Sequence, residues 1–139
     1  MNLRDSVIIV TGSATGLGSA IVKQLAAKGS RVVMNYTKSE KEAHDTEAVC
    51  DYLGVESILC KADVSVDEDC RRIANEALEK WGRIDGLVNN AARSVFANAK
   101  DLEALKGQQF MDVFSVNVVG PYQMARAVAP HMKAQGHGS

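Results

Sequence analysis

Val7-Ile8-Ile9-Val10-Thr11-Gly12-Ser13-Ala14-Thr15-Gly16-Leu17-Gly18 is the stretch that decides the fold. Val7 to Val10 is a short continuous apolar run, the pattern of a strand buried on both faces. From Gly16 to Lys28 the apolar residues recur at helical spacing, and Gly29 closes the segment. Between strand and helix lie Gly12, Gly16 and Gly18. Gly12 permits a tight turn as the chain leaves the strand. Gly16 lets backbone approach a pyrophosphate, and Gly18 lets the helix pack closely on the sheet. The helix N-terminus presents free N–H groups and a positive dipole end, which suit a phosphate.

Outward from this stretch the same alternation continues. Arg31 to Tyr36 reads as a second strand, and Ser39 to Leu53 as a second helix, opened by a capping box of Ser39 with Glu42 and ended at Gly54. Ser57 to Cys60 is a short third strand. Ser65 with Glu68 forms another capping box, opening a helix that buries Cys70, Ile73, Ala77 and Trp81 and stops at Gly82. Ile84 to Asn89 is a fourth strand. Two helical segments follow, the second running from about Gln108 to Ala134. Strand–helix alternation with near-continuous apolar strands predicts an α/β fold, a Rossmann-like doubly wound parallel sheet in the order 3-2-1-4. That order leaves strand 4 at an edge, with apolar side chains and unpaired backbone facing water. Along the long helix, Phe110, Val113, Phe114, Val116, Val118, Met124, Ala127 and Val128 wrap too far around for one contact. Both features predict that more protein covers them, so residues 1–139 read as the N-terminal portion of a single nucleotide-binding domain whose later strands are absent from this chain.

Composition narrows the function classes. The chain has 139 residues, 46% hydrophobic and only 5% aromatic, which suits close layering of helices on a sheet. A net charge of −1 gives no global field for nucleic acid or membrane. Cys50, Cys60 and Cys70 have neither disulfide-framework nor metal-ligand spacing and read as small buried apolar residues. His44, His131 and His137 are scattered and suggest neither a triad nor a metal site. The N-terminal residues lack the apolar run of a signal peptide or membrane span, so a cytoplasmic location is the expectation, and the Asn35-Tyr36-Thr37 sequon carries no weight.

The glycine spacing, G-x-x-x-G-x-G preceded by Thr11, resembles that of the short-chain dehydrogenases/reductases. The resemblance continues through Asp63-Val64, Gly82-Arg83-Ile84-Asp85, Asn89-Asn90-Ala91-Ala92, and Asn117 followed by Gly120, in the family's order and from about Ser6 to the end. It implies a nicotinamide dinucleotide bound by Gly12, Ser13, Thr15, Gly16, Leu17 and Gly18. At the end of the second strand an Asp in this family favours NAD. Here Asn35 is read at that place, followed by Tyr36, Thr37 and Lys38, with no acid before Glu40 and a lysine able to meet a 2′-phosphate. NADP is therefore the expected cofactor, with NAD the alternative. Asp63 would accept a hydrogen bond from the adenine amino group beside the Val64 backbone. Asn90, Ala91 and Ala92 would border the nicotinamide ribose, with Ala92 standing where the family usually has Gly.

By the same resemblance, catalysis needs Asn, Ser, Tyr and Lys, of which only Asn117 has a counterpart here. Its family role is to hold a water in a proton relay. Pro121 supplies a physical reason, since it has no N–H to give the carbonyl of Asn117. Tyr122 with Arg126 is a near miss to the family's Tyr-x-x-x-Lys and lies directly after the Asn motif, where the family's Tyr comes later in the chain. The expectation is an oxidoreductase moving a hydride between NADP(H) and a carbonyl or alcohol substrate. It resembles 3-oxoacyl reductases or sugar and alcohol dehydrogenases, with the long helix around Gln108–Ala134 joining copies into a dimer or tetramer. Residues 1–139 alone are expected to be inactive. A non-catalytic nucleotide-binding or interaction module is the alternative. A methyltransferase on a similar sheet is disfavoured by Asn35, where that fold usually wants an acid.

Overall fold

The computed structural model describes residues 2–98 and 100–139. Four parallel strands, β1 (Val7–Val10), β2 (Arg31–Tyr36), β3 (Ser57–Lys61) and β4 (Gly86–Val88), form one sheet in the order β3-β2-β1-β4. Helices α1 (Gly16–Ala27), α2 (Glu40–Tyr52) and α3 (Asp67–Trp81) make the crossovers, and α4 (Gly107–Phe114) and α5 (Gly120–Gln135) follow β4. Register is set by pairs such as Ile9 with Val33 and Leu87, and Met34 with Leu59.

The strand period of two sorts β1 between two cores. Val7 and Ile9 point to the α3–α5 side, among Cys70, Ile73, Ala77, Met124 and Val128. Ile8 and Val10 point to the α1–α2 side, with Val22, Ala26, Val32, Met34 and Cys50. Every residue of β1 is therefore buried, which is why its sequence reads as an unbroken apolar run. The cysteines are all free and buried, as their spacing suggests, and burial pushes the Cys60 thiol up to about 12 and Cys70 to about 11.

Several local expectations are corrected. Neither Ser39 nor Ser65 makes a capping box. Ser39 is the N-cap of α2 without a side-chain cap bond, and α3 starts one residue later than expected, with Val66 at the N-cap position. Ser65 is instead turned back into the loop, its N–H and hydroxyl both donating to Asp63 Oδ1, the hydroxyl at 2.7 Å. Trp81 is half-buried, its indole N–H donating to Glu56. Strand β4 is shorter than expected, and the first of the two helical segments after it does not form among the described residues before Gly107. The long helix is interrupted: a π-helical turn, Ser115–Val119, joins α4 to α5, with the Gly120 N–H donating to the Ser115 carbonyl. The edge of β4 is partly covered, since Leu87 N donates to Ser139 O at 2.9 Å and Ser139 N donates to Asp85 O at 3.1 Å. No helix among the described residues is long and apolar enough to cross a membrane.

Candidate functional site

All four strands point their C-terminal ends at one cleft of about 710 Å³. Its floor is the β1–α1 loop, and its walls are the segments that leave β2, β3 and β4. Such a crevice forms where the chain order reverses, here between β1 and β4.

The floor is held from below. Asn90 Nδ2 donates to the carbonyls of Thr11 and Gly12 at 2.9 and 3.0 Å. The Thr11 hydroxyl accepts from the N–H groups of Asn90 and Ala91, each at 3.0 Å. These bonds lock the glycine loop to the end of β4. Gly18 sits where any side chain would collide: a Cβ there would lie 2.3 Å from the Gly12 carbonyl oxygen and 2.6 Å from Asn90 Nδ2. Gly16 differs, with φ +54° and no atom within 4 Å of a Cβ position. It lines the open cleft, so its glycine is required by conformation and by room for a ligand.

Of the residues read from sequence, Gly12, Thr15, Gly16, Leu17, Gly18, Asn35, Tyr36, Thr37, Lys38, Asp63, Val64, Asn90, Ala91 and Ala92 all line this cleft. Ser13 does not. It is fully buried, and its N–H and hydroxyl both donate to the Asn35 carbonyl, at 2.9 and 3.2 Å. Asn35 needs a second correction. The last residue of β2 is Tyr36, not Asn35, and the Asn35 amide is committed to the fold: Oδ1 accepts from Gly12 N, and Nδ2 donates to Ala62 O at 2.8 Å. Asn35 thus ties β2 to the glycine loop and to β3. The residues at the strand end are Tyr36, Thr37 and Lys38, followed by Ser39, which also lines the cleft. Ser39 escapes a reading that treats it only as a helix cap; its signal is the placement directly after Lys38 at the start of α2.

Asp63 Oδ1 accepts from the N–H and hydroxyl of Ser65, and Asp63 N donates to Asp69 Oδ2 at 2.7 Å. Asp63 Oδ2 enters no hydrogen bond among the described residues, so one carboxylate oxygen stays available at the cleft. Ala92 adopts no left-handed backbone, since Asp5 is the one non-glycine with positive φ among the described residues. An alanine is therefore accommodated where the family usually has glycine.

Asn117 lies in the π-helical turn and lines a second cavity beside the cleft. Its side chain clamps the chain after β4: Oδ1 accepts from Arg93 N at 2.8 Å and Nδ2 donates to Arg93 O at 3.0 Å. Helix hydrogen bonding is rearranged at such a turn, which often marks functional sites. Tyr122 and Arg126 line neither cavity. Arg126 stacks 5.7 Å from the Tyr122 ring centroid and pairs with Asp67.

The sequence model of the family described as short chain dehydrogenase matches residues 6–139. The chain belongs to that family. A protein of Streptomyces violaceoruber that carries the name of ketoacyl reductase 2 of the granaticin polyketide synthase is 37% identical over 133 residues, covering 96% of this chain and 52% of the relative. One named as a galactose dehydrogenase, from Rhizobium meliloti, is 37% identical over 138 residues, covering 99% of this chain and 53% of its own length. The crystal structure of a metagenomic short-chain oxidoreductase in complex with NADP superposes with a TM-score of 0.89 at 31% identity, covering 99% of this chain and 61% of that one. The chain spans about half the length of the curated relatives it matches.

Proposed function

We propose that this short-chain dehydrogenase-family chain binds NADP(H) in the cleft and serves an oxidoreductase that moves a hydride between that cofactor and a carbonyl or alcohol. The observation that carries the reading is the cleft itself: a glycine loop and helix N-terminus on its floor, at the switch point of a parallel sheet. The pyrophosphate would lie over Gly16 and the start of α1, the adenine beside Asp63 and Val64, and the nicotinamide ribose by Asn90, Ala91 and Ala92. The choice of NADP over NAD rests on Lys38. It stands with Thr37 and Ser39 where the ribose 2′ position would fall, and the stretch from Tyr36 to Ser39 holds no carboxylate to repel a phosphate. The main-chain carbonyl of Asn117, which Pro121 has no N–H to meet, would hold the relay water, since the side chain is engaged by Arg93. Residues 1–139 contain no Tyr-x-x-x-Lys, so this stretch by itself offers no positioned acid for the carbonyl oxygen and would not turn over substrate at enzymatic rates.

The same reading places copies of the chain together through the long helix, in a cytoplasmic dimer or tetramer with a small-molecule substrate. A second reading, an interaction module that binds nucleotide without catalysis, is favoured by the stripe of exposed apolar residues on that helix.

Fluorescence titration with NADPH and NADH tests the cofactor. NADPH should bind more tightly, and Lys38→Glu should weaken NADPH by about 10–100-fold, the worth of one charge-assisted contact, with little effect on NADH. Tighter binding of NADH to the unaltered chain would reverse the cofactor assignment, and binding of neither would sink the nucleotide reading.

A further inference from the structure

The second cavity, about 340 Å³, adjoins the first: Arg93 and Ser94 line both. That is the small end of ligand-cavity sizes, which run from about 300 to 1,000 Å³. Val95 and Leu105 from the β4–α4 loop and Phe110 and Val113 from α4 supply its apolar wall. Its other polar liners are partly committed inside the protein. Arg93 pairs with Asp112 at 3.1 Å. The Asn117 amide is consumed by the Arg93 backbone. Gln109 Oε1 accepts from Lys106 N at 2.7 Å. A polyhydroxylated ligand entering here would lose water from each hydroxyl and find at the rim only Ser94, the Gln109 Nε2 and the rest of the Arg93 guanidinium, with an apolar wall opposite, so each hydroxyl turned to that wall is a cost. An apolar ring would lose nothing comparable. Ser94, at the junction, makes no side-chain hydrogen bond among the described residues and could meet a polar end facing the cleft.

We infer that this recess takes the hydrocarbon or aromatic-ring part of a ketone substrate, which makes the substrate class apolar ketones rather than sugars. The inference rests on the oxidoreductase reading above. Its test reads the recess directly and does not depend on turnover. The 139-residue chain, labelled with ¹⁵N, is titrated with 2-tetralone and separately with D-galactose, each with and without NADP⁺. Tetralone should shift the amides of Val95, Leu105 and Val113, and galactose at the same concentration should not. Leu105→Asp should weaken tetralone about tenfold or more by placing a charge against the ring, and the smaller change Val95→Ser should weaken it less. Both variants should bind NADP⁺ as the unaltered chain does. No tetralone-dependent shift in the recess, or equal shifts from galactose, would overturn the inference whatever NADP⁺ does. Failure of NADP⁺ to bind, with tetralone shifts intact, would instead count against the cofactor reading and leave an apolar-ligand recess standing.

Discussion

Glycines 16 and 18 look alike in the sequence and do opposite work. A methyl at Gly18 must displace backbone and the Asn90 amide that holds the loop to β4. Gly18→Ala should therefore cost about 1–3 kcal/mol of stability, the usual range for overpacking, together with nucleotide binding. A methyl at Gly16 meets nothing and faces the cleft. Gly16→Ala should cost about 1–2 kcal/mol for its left-handed backbone, while its binding defect should persist under conditions where the protein is fully folded. Urea unfolding and NADPH titration on both variants separate the two effects. Equal behaviour of the pair would mean that the loop is not packed as described.

At the scale of elements, the joint between α4 and α5 controls the loop after β4. Asn117 holds Arg93 by both backbone groups from an exposed position, so its loss should release the loop without unfolding the sheet. Asn117→Ala is expected to lower global stability by about 1 kcal/mol or less, in line with exposed hydrogen bonds. Hydrogen exchange at the Arg93 amide should accelerate well beyond that of β1 and β2. Unchanged exchange at Arg93 would show that the clamp is not what orders the loop. Pro121 made the loss of one helical hydrogen bond here legible from sequence, because it has no N–H to donate. The π-helical turn itself was not legible, since it depends on how α5 is seated against α3 and the β3–α3 loop. Gly120 shows this contact: a Cβ there would come within 2.8 Å of Val64.

At the scale of the molecule, two features bear on stability and assembly. Asp85 is buried where β4 begins and accepts from Arg83 at 2.7 and 2.8 Å and from Val7 N at 2.8 Å. Burial pushes its carboxyl up, but the guanidinium and the N–H outweigh burial and hold it below the ordinary value. A depressed carboxyl stabilises the fold above its unfolded pKa, and this contribution fades as pH falls through the folded value. Asp85→Asn should thus cost about 1–3 kcal/mol at pH 7, and the difference from the unaltered chain should shrink as pH drops below about 4. A pH-independent difference would assign the effect to packing alone. On the helix, Phe110, Phe114, Val118 and Tyr122 are 63%, 52%, 51% and 64% exposed at four-residue spacing. If this stripe joins copies, Phe114→Glu with Val118→Glu should turn an oligomer into a monomer by light scattering, with the fold intact by circular dichroism. A monomer before substitution would refute assembly through this face.

What the sequence determined by itself was the order of the four strands and the helices that link them, the parallel sheet and the cleft's position. The apolar runs Val7–Val10 and Arg31–Tyr36 and the glycines between elements are local signals, and right-handed crossovers leave few ways to assemble them. The tertiary structure decided which side chains face a ligand. Ser13 and Asn35 carry polar groups in a binding motif, yet both are turned inward, because buried backbone at the junction of the glycine loop, β2 and β3 must have its hydrogen bonds supplied from somewhere. The capping residues were decided the same way. Ser65 has the spacing of a helix cap, but its side chain is turned back to Asp63 two residues away, and that placement is settled only when the loop is folded.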